Sequence, residues 1–90
     1  MLHSMLCISL CMSAAVDLAP VRVNAVCPGM ILTEHTLQMV PDERLQMYVG
    51  GLPIPRGAAP AEAAHAYVYL MVNGYVTGQI LPVDGGGWLV

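Results

Sequence analysis

Charge is the scarcest property of this sequence: only 10% of its 90 residues are charged, three are basic, and lysine does not occur. An ordinary soluble domain carries roughly 25%. With Arg22, Arg44 and Arg56 as the only cations and a net charge of −3, nothing can neutralise a phosphate backbone, which excludes nucleic acid as a partner. A long apolar run is also missing. The greasiest stretch, residues 1–16, is interrupted by His3, Ser4, Ser9 and Ser13 and followed by Asp17, and it falls short of the roughly 20 residues a membrane span needs. No Lys or Arg precedes it, so it does not read as a signal peptide. The expectation is a chain without membrane association, located in the cytoplasm. Cys7, Cys11 and Cys27 are odd in number and lack paired spacing, which suits reduced thiols better than a disulfide framework. Repeats and low-complexity segments are absent.

What is abundant is hydrophobicity, at 57% of the residues. This length holds one folded unit at most, so residues 1–90 are read as a single, partial domain. A chain this short buries only about 60–65% of the surface that it exposes when unfolded. It therefore has more apolar surface than it can hide, and either a partner or a larger body must cover the excess.

Residues 4–19 are apolar with no clean polar face, and Asp17 and Pro20 supply an end, predicting a helix covered by other elements. Residues 21–27 are β-branched and apolar and are closed by Pro28-Gly29, as a parallel strand buried on both faces would be. Residues 30–57 read as an irregular excursion with one short helix after Pro41-Asp42 and breakers at Gly50, Gly51, Pro53, Pro55 and Gly57. Such excursions usually serve a site or a partner. Pro60 suits a first helical position and Glu62 a first turn, predicting a helix over 60–72 that stops at Asn73-Gly74. Residues 78–83 form a second short apolar strand, ended by Asp84 and three glycines. Strand, long crossover containing a helix, strand is the βαβ pattern, although two strands alone do not make a stable sheet.

In doubly wound sheets the ligand lies beyond the carboxyl ends of the strands, which draws attention to Pro28-Gly29-Met30-Ile31-Leu32-Thr33. Gly29 lets backbone approach a ligand closely, and the Thr33 hydroxyl can donate to an amide or phosphate oxygen. A strand-ending turn that holds no ligand accounts for the same residues.

The run Arg22-Val23-Asn24-Ala25-Val26-Cys27-Pro28-Gly29, followed by Thr33, resembles the sixth strand and following turn of the short-chain dehydrogenase/reductases. Asp17-Leu18-Ala19-Pro20 resembles the end of the helix before that strand. Arg56, Pro60 and Glu62 resemble the run Pro-x-x-Arg-x-x-x-Pro-x-Glu that opens the family's last helix, and residues 77–86 are similar to its closing strand. The matches keep the family's order and cover about residues 14–90. The resemblance implies an incomplete Rossmann-type doubly wound parallel α/β sheet, comprising the last two strands and their helices. It also implies hydride transfer between NAD or NADP and an alcohol or carbonyl substrate. In the family the Pro-Gly turn and the residue two beyond the Gly meet the nicotinamide and its carboxamide. Pro28, Gly29 and Ile31 hold those positions, with Thr33 near the carboxamide or pyrophosphate, and Ile31 would act through its backbone.

The departures concern chemistry. The family's glycine-rich phosphate loop, Gly-x-x-x-Gly-x-Gly, does not occur. Its active site uses a Ser and a Tyr-x-x-x-Lys pair, and this sequence has no lysine. Counting back from Asp17 puts the Lys slot near Ser4 and the Tyr before Met1; alternatively, Leu2-His3-Ser4-Met5 resembles sequence just after the Lys. Tyr48, Tyr67, Tyr69 and Tyr75 all lie beyond the Pro-Gly turn without a Lys four residues on, so none is a substitute. No catalytic residue is assigned.

Competing sites read as structural. His3, Cys7 and Cys11 share one helical stripe, but a zinc site needs further ligands that are not evident, and no metal is expected. Gly85-Gly86-Gly87 lacks a following helix or Lys and reads as a flexible tail. His35 and His65 have no Ser nearby in sequence, and a lone His reads more readily as a surface or core residue than as a catalyst. Ala63, Ala66, Tyr67, Leu70 and Met71 form the sheet-facing side of the 60–72 helix; alternatively, part of that helix and the 79–83 strand form a subunit interface. The expected function is that of a truncated member of the family, an NAD(P)-dependent oxidoreductase by descent and inactive alone. The competing expectation is a non-catalytic module that docks on a full-length relative, or on itself as a homo-oligomer, through the 60–72 helix and 79–83 strand. A further expectation is that the first twelve residues come from an altered start.

Overall fold

The computed structural model describes the backbone of residues 2–90 and the side chains of residues 5–90. Helix α1 spans Leu2–Asp17 and strand β1 spans Ala25–Pro28. Two short helices follow, α2 over Glu34–Met39 and α3 over Asp42–Gly50. Helix α4 covers Pro60–Val72, strand β2 covers Ile80–Val83, and a 3-10 turn over Gly87–Leu89 closes the described chain. The two strands are parallel, with Ala25 opposite Ile80 and Pro28 opposite Val83. This is the expected partial Rossmann-type arrangement.

The pleat sends alternate side chains to opposite faces. Cys27, Ile80 and Pro82 share a hollow with Ile8 of α1, whereas Asn24 and Val26 share one with Tyr67, Leu70 and Met71 of α4. The two long helices therefore flank opposite faces of the pair, which is doubly wound packing at its smallest. Cys11 and Ala15 are the buried residues of α1, and Ala66 and Leu70 those of α4. Tyr67 and Met71 lie on the sheet-facing side as expected, lining the hollow with Asn24 and Val26, yet remain 45% and 71% exposed.

β1 starts later than its composition suggests: Val23 still accepts from the Gly78 amide at 2.7 Å, but side chains make most of the other bonds that hold the residues before the strand. The Val23 amide donates to the Thr77 hydroxyl. The Asn24 side chain donates to the Val76 carbonyl and accepts from the Gln79 amide. Arg22 turns its guanidinium onto the end of α4, donating to the carbonyls of Leu70 (2.8 Å), Met71 (3.1 Å) and Val76 (3.3 Å). The Leu70 and Met71 carbonyls are among those that a helix terminus leaves without intrahelical partners, and the contacts place a cation at the negative end of the dipole.

At its other end α4 begins with Pro60 as the first helical residue. Glu62 reaches back to accept from the Ala59 amide at 2.9 Å. The same carboxylate takes two parallel hydrogen bonds from Arg56, at 2.8 and 2.9 Å. Both ends of this helix match the expected bounds. The excursion differs, since it holds two helices where one was expected. Leu45 and Val49 of α3 pack with Leu52 as a small core over Met30, Leu32 and Val40. The closing glycines also differ from the expected flexible tail, because they form an ordered turn with Gly85 and Gly86 at positive φ.

Candidate functional site

The Pro28–Thr33 turn stands at the carboxyl end of β1, where an open α/β sheet binds its ligands. Pro28 is the last residue of the strand and is exposed. The Gly29 amide donates to the Val83 carbonyl at 2.8 Å, continuing the ladder past the strand end. The structure adds a reason for a glycine here. A Cβ on Gly29 would stand 2.8 Å from the Asp84 Cα, so the missing side chain makes room for the backbone that follows β2.

Ile31 forms a parallel bridge with Ala58. In that bridge Ala58 spends both its groups, donating to Met30 and accepting from Leu32. Ile31 therefore points its own N–H to the opposite side, as the geometry of a parallel pair requires, and the amide finds no partner among the described residues. Its carbonyl accepts from the Thr33 amide at 2.9 Å. An unspent backbone donor at a strand's carboxyl end is what a ligand amide or carbonyl oxygen needs.

Thr33 has a job that the sequence did not reveal. Its hydroxyl caps α2 by accepting from the Thr36 amide at 3.2 Å, and it lies 3.0 Å from the Thr36 hydroxyl. When Thr36 supplies the proton of that contact, the Thr33 O–H stays free to donate outward. The four residues Pro28, Gly29, Ile31 and Thr33 thus lie along one turn, with Ile31 half-buried and the other three exposed. Two neighbours not assigned to the site from sequence, Asp84 and Ala58, fix its shape.

Beside this turn lies a hollow of about 330 Å³ between the 52–58 strap and the end of β2, with Met30, Ala58 and Asp84 on its walls. Its charged rim is the Arg56–Glu62 pair. The hydrogen bond from Arg56, helped by the Ala59 amide, holds the Glu62 carboxyl down to about 2, and Glu62 in turn raises Arg56. Among the described residues no three His, Cys, Asp or Glu side chains gather as a metal site. The His3 side chain of the proposed helical stripe lies outside the described residues. His35 and His65 are exposed. No described helix is long and apolar enough to cross a membrane.

A parallel strand pair flanked by helices, with an exposed Pro-Gly turn at its carboxyl end, is the closing part of a Rossmann-type α/β domain. A family model described as Enoyl-(Acyl carrier protein) reductase matches residues 5–87, so the match begins ahead of the expected residue 14. The chain is similar to carbonyl reductase family member 4 of Danio rerio, with 41% identity over 66 residues, 73% of this chain and 26% of that protein. It is also similar to the uncharacterized oxidoreductase YmfI of Bacillus subtilis, with 43% identity over 76 residues, 80% of this chain and 31% of that one. Among solved structures, a small-chain dehydrogenase in complex with NADPH superposes with a TM-score of 0.81 at 32% identity, covering 92% of this chain and 39% of that one. The chain belongs to the short-chain dehydrogenase/reductase family, a family of oxidoreductases. It spans between about a quarter and a third of the curated relatives that it matches.

Proposed function

We propose that these 90 residues form the nicotinamide-facing wall of an NAD(P) site, in an oxidoreductase that moves hydride between the cofactor and an alcohol or carbonyl. The observation that carries this reading is the unspent Ile31 amide on the exposed turn after β1. Pro28 and Gly29 line the approach, Ile31 offers its N–H to the carboxamide oxygen, and the Thr33 hydroxyl donates beside it. The cofactor, when bound, supplies the hydride; this stretch orients it. NADPH in the matched small-chain dehydrogenase complex supports a nicotinamide cofactor. The phosphate grip and the Tyr-x-x-x-Lys proton relay have no counterpart in a sequence without lysine and must come from other residues. The 90-residue chain alone therefore binds NAD(P) only weakly and transfers no hydride. Three free thiols support a reducing compartment, and we propose the cytoplasm.

Two measurements test this. Turnover of NADPH with a carbonyl substrate by the purified chain would overturn its inactivity alone. Titration with millimolar nicotinamide mononucleotide, followed by amide NMR, should shift the signals of residues 29–33, Ile31 foremost. Shifts that map elsewhere, or none at all, sink the nicotinamide-wall reading.

A second reading has its own observation. Tyr67, Val68, Met71 and Val72 of α4 are exposed together, which suits a module that docks on a complete relative, or on a second copy, through the 60–72 helix and the 79–83 strand. Co-expression with a complete relative and size-exclusion chromatography should show the two co-migrating, and separate elution argues against docking.

A further inference from the structure

Three successive glycines end β2, and the strap that leaves α3 packs on each of them. The Ile54 amide donates to the Gly85 carbonyl at 2.9 Å, and a Cβ on Gly85 would lie 3.2 Å from the Ile54 carbonyl oxygen. Gly86 lies against Pro53, where a Cβ would come within 2.7 Å of the ring. Gly87 faces Leu52 and the Tyr48 hydroxyl, with its virtual Cβ at 3.3 and 3.8 Å. The Asp84 carboxylate holds the turn, with one oxygen accepting from the Gly86 amide and the other from the Trp88 amide, both at 3.0 Å. On its opposite flank the Asp84 backbone fills the space over Gly29. One turn thus touches both the Pro28–Thr33 turn and the end of α3.

We infer that the Asp84–Gly87 turn is a seat that fixes the position of the α2–α3 excursion relative to the Pro28–Thr33 turn. Gly85 and Gly86 adopt φ of +63° and +86°, a region that L side chains avoid, so the seat depends on glycine for both conformation and clearance. Pro53 and Pro55 stiffen the strap at fixed φ, so it has little freedom to absorb an intruding methyl. A push at Pro53 passes to Leu52, and from there to Leu45 and Val49, which pack with it. That the excursion in turn frames the cofactor's approach rests on the nicotinamide-wall reading; the seat itself does not.

Limited trypsin digestion of the 90-residue chain tests the seat without any cofactor, so its failure is distinct from failure of the nicotinamide wall. With no lysine present, Arg22, Arg44 and Arg56 are the only cleavage sites. Arg44 lies in α3 and Arg56 in the strap, while Arg22 is tied to α4 carbonyls away from the seat. Gly86→Ala should speed cleavage at Arg44 and Arg56 by about tenfold, the factor expected from a left-handed L residue, with the Arg22 rate unchanged. Asp84→Asn, which keeps all three glycines, should give the same selectivity at about threefold, since it only weakens charge-assisted hydrogen bonds. Gly74→Ala, where nothing lies within 4 Å, should change neither rate. Unchanged cleavage at Arg44 in both seat variants, or equal acceleration at Arg22 in both, overturns the inference.

Discussion

At Gly29 the structure supplies a reason for the residue that lies outside any local pattern. Its place in a Pro-Gly turn after a strand marks it from sequence alone. Whether its bare Cα faces a ligand or another strand depends on a direction in space that no local pattern encodes. The structure puts Asp84 there. Gly29→Ala therefore forces β1 and β2 apart at their carboxyl ends, against backbone that cannot rotate away. The expected cost is about 1–3 kcal/mol of overpacking, read as a lower urea midpoint, whereas Gly74→Ala should stay within about 0.5 kcal/mol of the parent. Thr33 carries the same lesson in another form. It was legible as a hydroxyl near a candidate site, yet its cap on α2 was not, because a six-residue helix is too short to show a hydrophobic period.

Among the elements, α4 was the most legible, since its signals are local: Pro60 and Glu62 at the start and Asn73-Gly74 at the stop. β1 was less so, because Arg22 and Asn24 spend their side chains on partners 48–55 positions away. Arg22→Met keeps the apolar stem and loses three donated hydrogen bonds. It should cost about 1–3 kcal/mol in urea unfolding, with exchange rising first at the α4 amides near Leu70. At the opposite end the Arg56–Glu62 pair gives α4 a pH dependence. The folded chain holds Glu62 ionised down to about 2, below its ordinary value of 4.5. A depressed carboxyl stabilises fully above its unfolded value and loses that contribution as pH falls through the folded one. The difference in urea midpoint between the parent and Glu62→Gln should thus be full at pH 6 and shrink between 4.5 and 2. The pair is exposed, so high salt should reduce the difference at every pH. A difference that is flat across this range counts against the pair.

For the whole molecule, composition already announced more apolar surface than the chain can hide, and the structure shows a total surface larger than a compact monomer needs. The chain exposes 6660 Å², where a compact monomer of its mass exposes about 5,100 Å². Its Cα radius of gyration of 14.9 Å exceeds the roughly 12 Å of a compact 90-residue domain. Met5, Leu6, Leu10 and Val16 of α1 account for part of that surface. Sedimentation of the purified chain should show a mass above 9.6 kDa that rises with concentration, and a sharp monomer at tens of micromolar would contradict this. The fold class was legible because strand, crossover and strand recur in order; the excess area was not, because it depends on which helix faces the sheet leaves uncovered.

The register of the strand pair has a consequence in time. Asn24 and Gln79, which bond across the start of the sheet, are 55 positions apart, so the single ladder closes only after everything between them has been made. At roughly 5–20 residues per second of synthesis, β1 waits about 3–11 s for its partner after it is made. Throughout that interval the edge of β1 that faces β2 is unpaired, and an unpaired strand edge is the kind of surface that chaperones bind and that misassembly begins from.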